Sequence, residues 1–444
     1  MKILIVSFAV CGGALTALAQ NNPPAGTAGN AVAISTELID RLVEEARTNN
    51  PALRAAGSRA KAAAFNADAV RSWDDPTATF GGSVFSPLGM APSQQGDLAY
   101  GLQQKLPLWG RPMLTRRVAH AELSARQADL NFRLQQWRRD INKELLAAAL
   151  AERVVDIGEQ DLSWLEATVQ AVEAKYRDGQ AALGDTLQIQ NERAQRNDRL
   201  RTERHLLAHE DFNLNRLLNR PLDSPWPSLQ LPPVVPAIPF SGKLLALALA
   251  NEPKLKVMAQ EIQRAEAAAE LTRRSRLPDV SFDVQGRQYS GDGGFREGDF
   301  LVRFSLPWFN RDKYRMEYDR DKEKQKSVEQ EREDQVWMVR EQLHHLSVEI
   351  EASRREALLY GGEITARATQ ALASRLADWE TGRGMFRDVL DARRMLLESE
   401  LMSARAVAEE NEMWGELLLW SGLENAEALV PLANEPSLLP SHEH

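Results

Sequence analysis

The chain has 444 residues, of which 43% are hydrophobic and 26% are charged, and this composition excludes an intrinsically disordered protein. A single cysteine excludes a disulfide-stapled fold and a cysteine-based zinc cluster. The net charge of −9 offers no electrostatic basis for binding nucleic acid, so we predict no nucleic-acid partner.

Residues 1–19 have the parts of a secretory signal peptide. Lys2 supplies the positive charge, an apolar run follows, and the small residues Ala17 and Ala19 form a cleavage site. We therefore predict that the chain is cut after residue 19 and exported, with a buried N-terminal helix or strand as the alternative. The only cysteine, Cys11, lies in this segment. A lipid anchor at Cys11 is a second alternative, which is disfavoured because the residues before Cys11 fit a lipobox poorly.

The chain is internally duplicated, because short motifs return about 200 residues later in the same order. The matching pairs are Asn50-Pro51-Ala52-Leu53 with Glu252-Pro253-Lys254-Leu255, Leu106-Pro107 and Arg111 with Leu306-Pro307 and Arg311, and Tyr176 and Gly179 with Trp379 and Gly382. We predict two structural repeats, 20–220 and 241–428, followed by a C-terminal tail, 429–444. The linker 221–240 between them holds seven of the 21 prolines and is predicted to be extended.

Each repeat is predicted to begin with a helix and to continue with two strands that alternate apolar and polar residues. The predicted helices are 36–72 and 241–276, and the predicted strands are 77–85, 98–106, 280–289 and 300–306. The segments between the strands, 86–97 and 290–299, are rich in glycine and polar residues and are predicted to be loops. No stretch after the signal peptide is apolar enough to form a membrane helix, so any membrane span must consist of strands.

A very long helix follows the strands in each repeat. Between Met113 and Asp178 there is one glycine, Gly158, and no proline, which predicts a helix roughly 100 Å long. The second repeat has a similar helix over 312–381, with an irregular point at its paired glycines. After Gly179 and Gly382, a return helix is predicted to run to about residues 219 and 421. Helices of this length need neighbours along their whole length, so we predict long antiparallel coiled-coil helices.

Four strands with one apolar face cannot close a membrane barrel alone, because an open edge in lipid leaves unpaired backbone groups. Two copies would supply about eight strands and three copies about twelve, and twelve would leave a water-filled lumen. The alternative of a different class is a soluble periplasmic coiled-coil scaffold whose strands form a small cap. That alternative needs a third layer of structure that the sequence does not show.

The order of these elements, their duplication and two motifs resemble the TolC-like outer-membrane efflux proteins. The motifs are Leu-Pro-x-x-x-Arg and Tyr/Trp-x-x-Gly-x-x-x-x-x-Asp-x-Leu-x-x-x-Arg, and the resemblance extends from about residue 36 to residue 425. The segments 49–56 and 104–111 look most like the CzcC-like heavy-metal branch. The resemblance implies a mainly α protein with membrane β: a homotrimer with a 12-stranded β-barrel in the outer membrane, continued by an α-helical barrel in the periplasm.

The resemblance also implies partners and cargo. A periplasmic adaptor protein, an inner-membrane efflux pump and outer-membrane lipid would be the partners, and metal cations such as cobalt, zinc, cadmium or copper would be the cargo. Drugs or proteins exported by a type I system are the alternative cargoes. The sequence lacks a P-loop, a G-x-S-x-G motif and a dinucleotide-binding fingerprint, so we predict a passive duct that is not an enzyme and needs no cofactor.

The turns after Gly179 and Gly382 would be the periplasmic tips. The residues implied to dock the adaptor are Gly179, Asp185, Leu187, Gly382 and Leu390. The residues implied to form the periplasmic gate are Asp388, Asp391, Trp379, Arg383 and Arg387. In a trimer the two aspartates would supply a ring of carboxylates that favours cations, whereas the alternative is that they only stabilise the start of a helix through its dipole.

Several histidines are candidate metal ligands. His205 and His209 lie four residues apart on the predicted return helix, a spacing that can bind zinc, but the segment lacks the glutamate of H-E-x-x-H. His344 and His345 are adjacent and point to different faces of a helix. The favoured interpretation is that these residues are solvated, and we predict no metal site within the chain.

Overall fold

The computed structural model describes residues 32–70, 73–82, 97–289, 293–423 and 426–438. The predicted signal peptide with Cys11, and most of the predicted loop 86–97, lie outside the described residues. Within those described ranges, no helix has the length and apolar character needed to cross a lipid bilayer.

Over its described residues, the first repeat contains three short strands and four helices. In chain order they are β1 (Val32–Ala33), α1 (Thr36–Asn49), α2 (Pro51–Ala69), β2 (Thr77–Gly82), β3 (Asp97–Lys105), α3 (Arg111–Arg177) and α4 (Leu183–Leu218). The linker contains β4 (Leu229–Gln230), which pairs in parallel with β1. The linker is otherwise extended, as its prolines predict.

The second repeat has the same plan. Its elements are α5 (Gly242–Asn251), α6 (Pro253–Arg274), β5 (Val280–Tyr289), β6 (Phe295–Phe304), α7 (Arg311–Leu358), a π-helical turn (Leu359–Ile364), α8 (Thr365–Glu380) and α9 (Phe386–Ser421). Short 3-10 helices occupy Pro307–Asn310, Ala426–Ala428 and Val430–Asn434. The protein is therefore mostly helical, and the predicted mainly α fold class is confirmed.

The helix predicted to open each repeat is in fact two helices. The break falls at Asn50 before Pro51 in the first repeat and at Glu252 before Pro253 in the second. A residue before proline is pushed towards extended backbone, and Asn50 has a ψ of 125°. Both side chains then cap the following helix, since Asn50 accepts a hydrogen bond from the amide of Ala52 and Glu252 accepts one from that of Leu255.

The four longer strands form one antiparallel sheet in the order β2-β3-β5-β6. The predicted strands are confirmed within the described residues, although 83–85 of the first strand lie outside them. Strand β6 begins at Phe295, so the end of the predicted loop 290–299 is strand. The central β3–β5 pair joins the two repeats, with Gln103 opposite Asp283. The ring of Tyr100 covers Gly286, where a Cβ atom would lie 2.8 Å from the ring.

The two faces of the sheet differ in polarity, because side chains alternate along each strand. One face is apolar and exposed, with residues Phe80, Leu102, Val284, Phe300 and Phe304. The other face is polar and internally paired: Arg303 contacts Asp283 at 2.6 Å and Arg287 contacts Glu297 at 3.0 Å.

The Leu-Pro-x-x-x-Arg motif fastens the sheet to the helices. The guanidinium group of Arg111, at the start of α3, donates hydrogen bonds to the carbonyl oxygens of Arg274 and Leu277 and pairs with Asp279. Trp109 donates from its indole nitrogen to the carbonyl of Pro278 at 2.7 Å. The first repeat is thereby held to the second at the level where strands and helices meet.

The long helices pack side by side. Helix α3 has 67 residues and contacts α2, α4, α6 and α9. Its counterpart in the second repeat is interrupted by the π-helical turn, where the sequence has Gly361 and Gly362. A π turn accommodates one extra residue within a helix, so α8 keeps the packing of the corresponding part of α3.

Among the residues that the structure describes, three clusters of buried residues form the core. One lies in each repeat at the level of the linker, and the third lies near the turns that end α3 and α8. The residues that follow α9 are part of the cluster in the second repeat, since Leu429 and Leu432 are buried there. The start of the predicted C-terminal tail is therefore packed against the second repeat.

Candidate functional site at the helical tips

The first tip is the turn between α3 and α4. Helix α3 ends at Arg177, and Gly179 adopts a positive φ of 73°, a conformation that glycine reaches without strain. The amide of Gln180 donates to the carbonyl of Lys175 at 2.8 Å, which satisfies an end carbonyl of the helix. Asp185 is half-buried in the first turn of α4, and Leu187, two residues later, is exposed.

The second tip is the turn between α8 and α9. Gly382 has a φ of 75°, and the amides of Arg383 and Gly384 both donate to the carbonyl of Asp378. Gly384 packs tightly, because a Cβ atom there would lie 3.1 Å from the side chain of Asp378. The two tips therefore share a left-handed glycine, and the second has an additional close backbone contact.

Beneath the tips, the two helical hairpins share an apolar core. The buried residues of this cluster come from α3, α4, α8 and α9, and they are Leu165, Val169, Val172, Ile189, Ala368, Leu372, Trp379, Phe386, Val389, Leu390 and Leu396. Leu390, which the sequence suggested for adaptor docking, is 2% exposed in this core. Its side chain therefore supports the tip from within.

Trp379 lies at the centre of this packing. It is 7% exposed, whereas its counterpart Tyr176 in the first repeat is 43% exposed. Its ring packs against Phe386, and the ammonium group of Lys175 lies 4.1 Å from the ring centre. Lys175 also donates to the carbonyls of Trp379 and Glu380. This cation ties the end of α3 to the end of α8.

The two aspartates suggested for the gate lie on the exposed side of α9. Asp391 is paired with Arg387 at 3.8 Å and with Arg394 at 3.1 Å. Asp388 makes no ion pair with any residue that the structure describes. Arg383 is exposed and contacts Asp378 at 3.6 Å. Of the two aspartates, Asp388 is therefore the one whose charge no described residue pairs.

A buried charge cluster above the tips was missed by the sequence analysis. Arg196 of α4 lies over Gly158 of α3, pairs with Glu203 at 3.0 Å and lies 3.6 Å from Asp161. Asp161 in turn accepts a hydrogen bond from Arg393 of α9 at 2.7 Å. Burial raises the pKa of Glu203 although Arg196 opposes the shift.

One sequence signal could have revealed this cluster: Gly158 is the only glycine of α3. A Cβ atom at Gly158 would lie 2.0 Å from the guanidinium group of Arg196. A lone glycine inside a long helix often marks a close approach of another group. Nothing in the sequence identified Arg196 as the group that approaches.

In the portion of the chain that the structure describes, no group of three or more metal-binding side chains comes together within one copy. The tips instead combine exposed carboxylates and arginines with a rigid apolar core. Such an arrangement can bind another protein or influence the passage of ions.

The fold is similar to that of solved outer-membrane channels. The outer-membrane channel OprN superposes with a TM-score of 0.76 and 17% identity, covering 87% of this chain and 90% of that chain. VceC from Vibrio cholerae superposes with a TM-score of 0.73 and 18% identity, covering 87% of this chain and 96% of that chain. CusC superposes with a TM-score of 0.72 and 17% identity, covering 87% of this chain and 92% of that chain. Identities this low establish the fold alone.

The sequence comparisons place the chain in a family. No curated protein matches the sequence. The family model described as outer membrane efflux protein matches residues 42–220 and 244–409, which is most of the chain and includes both repeats. Proteins of this family are transport ducts and not enzymes, as the sequence predicts. This chain therefore belongs to the outer membrane efflux protein family.

Proposed function

We propose that this chain is the outer-membrane exit duct of a tripartite efflux system of the resistance-nodulation-division type. Three copies form a 12-stranded β-barrel in the outer membrane, and their helices continue it as a tube in the periplasm. The observation that carries this proposal is that this member of the outer membrane efflux family has different surfaces at its two ends. An exposed apolar sheet face lies at one end, and helical hairpin tips lie at the other.

The apolar face of the sheet supports contact with lipid. Phe80 is 83% exposed, and Phe300 and Phe304 are also largely exposed in a single copy. A membrane barrel presents such a face to lipid and its polar face to water. The paired charges of Arg303 with Asp283 would then line an aqueous interior.

The edges of the sheet support closure with further copies. Within one chain, β3 of the first repeat pairs with β5 of the second. By the duplication, β6 corresponds to β3, and β2 corresponds to β5. Strand β6 of one copy is therefore built to pair with β2 of the next. A head-to-tail contact of this kind closes into a ring and removes the exposed edges.

The tips are the proposed docking surface for a periplasmic adaptor protein. Gly179, Asp185, Leu187 and Gly382 lie on or near the surface there, and the exposed Leu183 is adjacent. Leu390 would act by supporting this surface from the core beneath it. An inner-membrane pump joined through the adaptor would supply the energy, because the duct itself would be passive.

The gate is proposed at Asp388 and Asp391, with Trp379, Arg383 and Arg387 holding the closed arrangement. The contact of Lys175 with Trp379 and the pairing of Asp391 with two arginines support a tip that is fixed by specific contacts. In a trimer, three copies of Asp388 would face the axis at the narrowest level. Such a carboxylate ring favours cations over anions.

Metal cations are the proposed cargo. The carboxylate ring and the resemblance of segments 49–56 and 104–111 to the CzcC-like branch favour cobalt, zinc, cadmium or copper. The same duct could instead carry drugs or, in a type I system, proteins. Metal sensitivity of a deletion strain, compared with its drug sensitivity, distinguishes these cargoes.

The test of the duct is where the protein resides and how many copies assemble. Membranes would be separated on a density gradient, and the native mass would be measured in detergent. We expect the protein in the outer membrane at about three protomers per particle. A soluble periplasmic protein or a monomer would contradict the duct and would favour the coiled-coil scaffold.

A further inference from the structure

We propose that a divalent transition-metal ion binds between adjacent copies of this chain, held by His345 and Glu349 of one copy and His205 and His209 of the next. The inference rests on the proposed function, because the site exists only when copies assemble side by side. The internal duplication and one contact between helices of the same chain support this site.

Helices α4 and α9 are equivalent residue by residue. Both have 36 residues, and each ends at a left-handed residue, Asn219 with a φ of 55° and Gly422 with a φ of 67°. The offset between them is 203 residues at both ends, so no insertion separates the two helices. By this offset, His209 of α4 corresponds to Glu412 of α9.

Helices α3 and α7 are equivalent at an offset of 202 residues in the region of the histidines. Ile141 and Leu343 are both fully buried at this offset, and so are Ala148 and Ile350. The offset becomes 203 only after the π-helical turn, which adds one residue. By the offset of 202, His345 of α7 corresponds to Lys143 of α3.

Within one chain, α3 and α9 form an antiparallel contact. Lys143 pairs with Glu412 at 2.6 Å, and one turn away Arg139 pairs with Glu416 at 3.3 Å. Near them, Asn142 lies so close to Gly415 that a Cβ atom there would be 2.5 Å from its amide nitrogen. This contact joins the long helix of the first repeat to the return helix of the second repeat.

The duplication predicts the same contact between α7 of one copy and α4 of the next. His345 then faces His209 of the neighbouring copy, as Lys143 faces Glu412. The antiparallel direction places Glu349, one turn along α7, against His205, one turn back along α4. His345 and Glu349 are four residues apart on α7, and His205 and His209 are four residues apart on α4, so each pair lies on one face of its helix. Three imidazoles and one carboxylate would therefore meet.

The surfaces that would meet are open in a single copy. Val348 of α7 is 51% exposed, whereas its counterpart Leu146 in α3 is 2% exposed. Leu206 and Phe212 are exposed on α4. Exposed apolar side chains beside the histidines indicate a face that a second copy would cover.

The spacing suits a bridging ion. The positions of Asn142 and Gly415 are taken by the larger His344 and Phe212, so the contact between copies would be wider than the one within the chain. An imidazole is also shorter than the lysine side chain that it replaces. Two metal–nitrogen bonds of about 2.0–2.1 Å would add roughly 4 Å between the imidazoles.

The ligand chemistry selects the class of ion. Imidazole nitrogens with one carboxylate oxygen bind zinc, cobalt, nickel or copper, and four such ligands fit tetrahedral zinc. His345 already has its Nδ1 atom 3.8 Å from Glu349, so both side chains point to the same side of α7.

Zinc binding to the intact assembly tests the proposal. The mature protein, without a histidine tag, would be titrated with zinc chloride by calorimetry in detergent. We expect about one zinc per protomer in addition to any weak binding at the C-terminal histidines. Each of His345→Ala and His209→Ala should weaken this binding about 100-fold or more, since even outer-shell changes at metal sites cost 10–100-fold.

Two controls separate the outcomes. His120→Ala removes an exposed histidine of α3 far along the chain and should leave zinc binding unchanged. A short bis-maleimide reagent should cross-link neighbouring copies of the H209C/H345C variant, because the mature chain has no other cysteine. Cross-linking of the H209C/H345C variant while the natural trimer binds no zinc, or zinc binding that survives His345→Ala, would overturn the metal site and leave the duct intact. A monomer would overturn the proposed function itself.

Discussion

At the scale of single residues, the clearest constraint is the contact between Gly158 and Arg196. Arg196 is buried and depends on Glu203, Asp161 and the carbonyl of Gly158 for its partners. A side chain at Gly158 would occupy the place of the guanidinium group. The cost of a glycine in a helix interior is thus offset by satisfying a buried cation.

We therefore expect Gly158→Ala to destabilise the protein by roughly 2 kcal/mol, although alanine favours a helix by about 1 kcal/mol. Unfolding in detergent, followed by circular dichroism, measures this difference. The matched control is Gly57→Ala in α2, where no atom lies within 4 Å of the added Cβ. Gly57→Ala should be neutral or stabilising, and an equally neutral Gly158→Ala would contradict the proposed role of this glycine.

At the scale of elements, the linker is held by a buried acid. Glu410 of α9 is fully buried and accepts a hydrogen bond from the amide of Val235 at 3.2 Å. Arg354 of α7 donates to the carbonyl of Val235 at 3.1 Å. Burial raises the pKa of Glu410 to about 7, because only one hydrogen bond and the charge of Arg354 oppose it. The linker thus lies on a carboxyl group that titrates near neutrality.

This raised pKa makes stability depend on pH. Below about pH 4.5 the carboxyl group is protonated in both the folded and the unfolded chain. Between that value and about 7 the unfolded chain releases the proton first, so stability falls as the pH rises. Glu410→Gln should therefore be more stable than the natural chain at pH 8, by roughly 3 kcal/mol, and only slightly so at pH 5.

Thermal unfolding at both pH values measures this effect. Glu398→Gln changes an exposed acid of the same helix and should show no such pH-dependent gain. An equal gain for Glu410→Gln at pH 5 and pH 8 would mean that the carboxyl group of Glu410 does not titrate between them.

At the scale of the whole molecule, the proposed duct makes a prediction about ion flow. Asp388 makes no ion pair with a described residue, whereas Asp391 is compensated by Arg387 and Arg394. Replacing both aspartates by alanine should raise the leak conductance and weaken the preference for cations. Asp388→Ala alone should weaken the preference more than Asp391→Ala, because Arg387 and Arg394 already compensate the charge of Asp391.

Single-channel recordings in planar bilayers under a salt gradient give both quantities. Glu351→Ala, at an exposed position of α7 away from the tips, is the control and should change neither. Unchanged conductance and selectivity in the Asp388 and Asp391 variants would refute the gate assignment.

Much of the architecture is encoded locally and could be predicted from the sequence. The long helices follow from the scarcity of glycine and proline, and the alternating residues of 280–289 predict a strand with the correct bounds. The matching motifs predict two repeats of one plan. The sequence also placed turns at Gly179 and Gly382, and the structure shows that both glycines have a positive φ. These features depend on backbone sterics and on periodicities within a few turns of chain.

What the sequence alone could not decide is which residues meet across elements. The burial of Trp379 and Leu390, the position of Arg196 over Gly158 and the contact of Glu410 with the linker all join residues far apart in the chain. Their free energies depend on desolvation and close packing, which are properties of the assembled tertiary structure. The sequence by itself therefore determined the elements and their duplication. Only the tertiary structure decided which charges are buried, which are paired and which remain exposed at the tips.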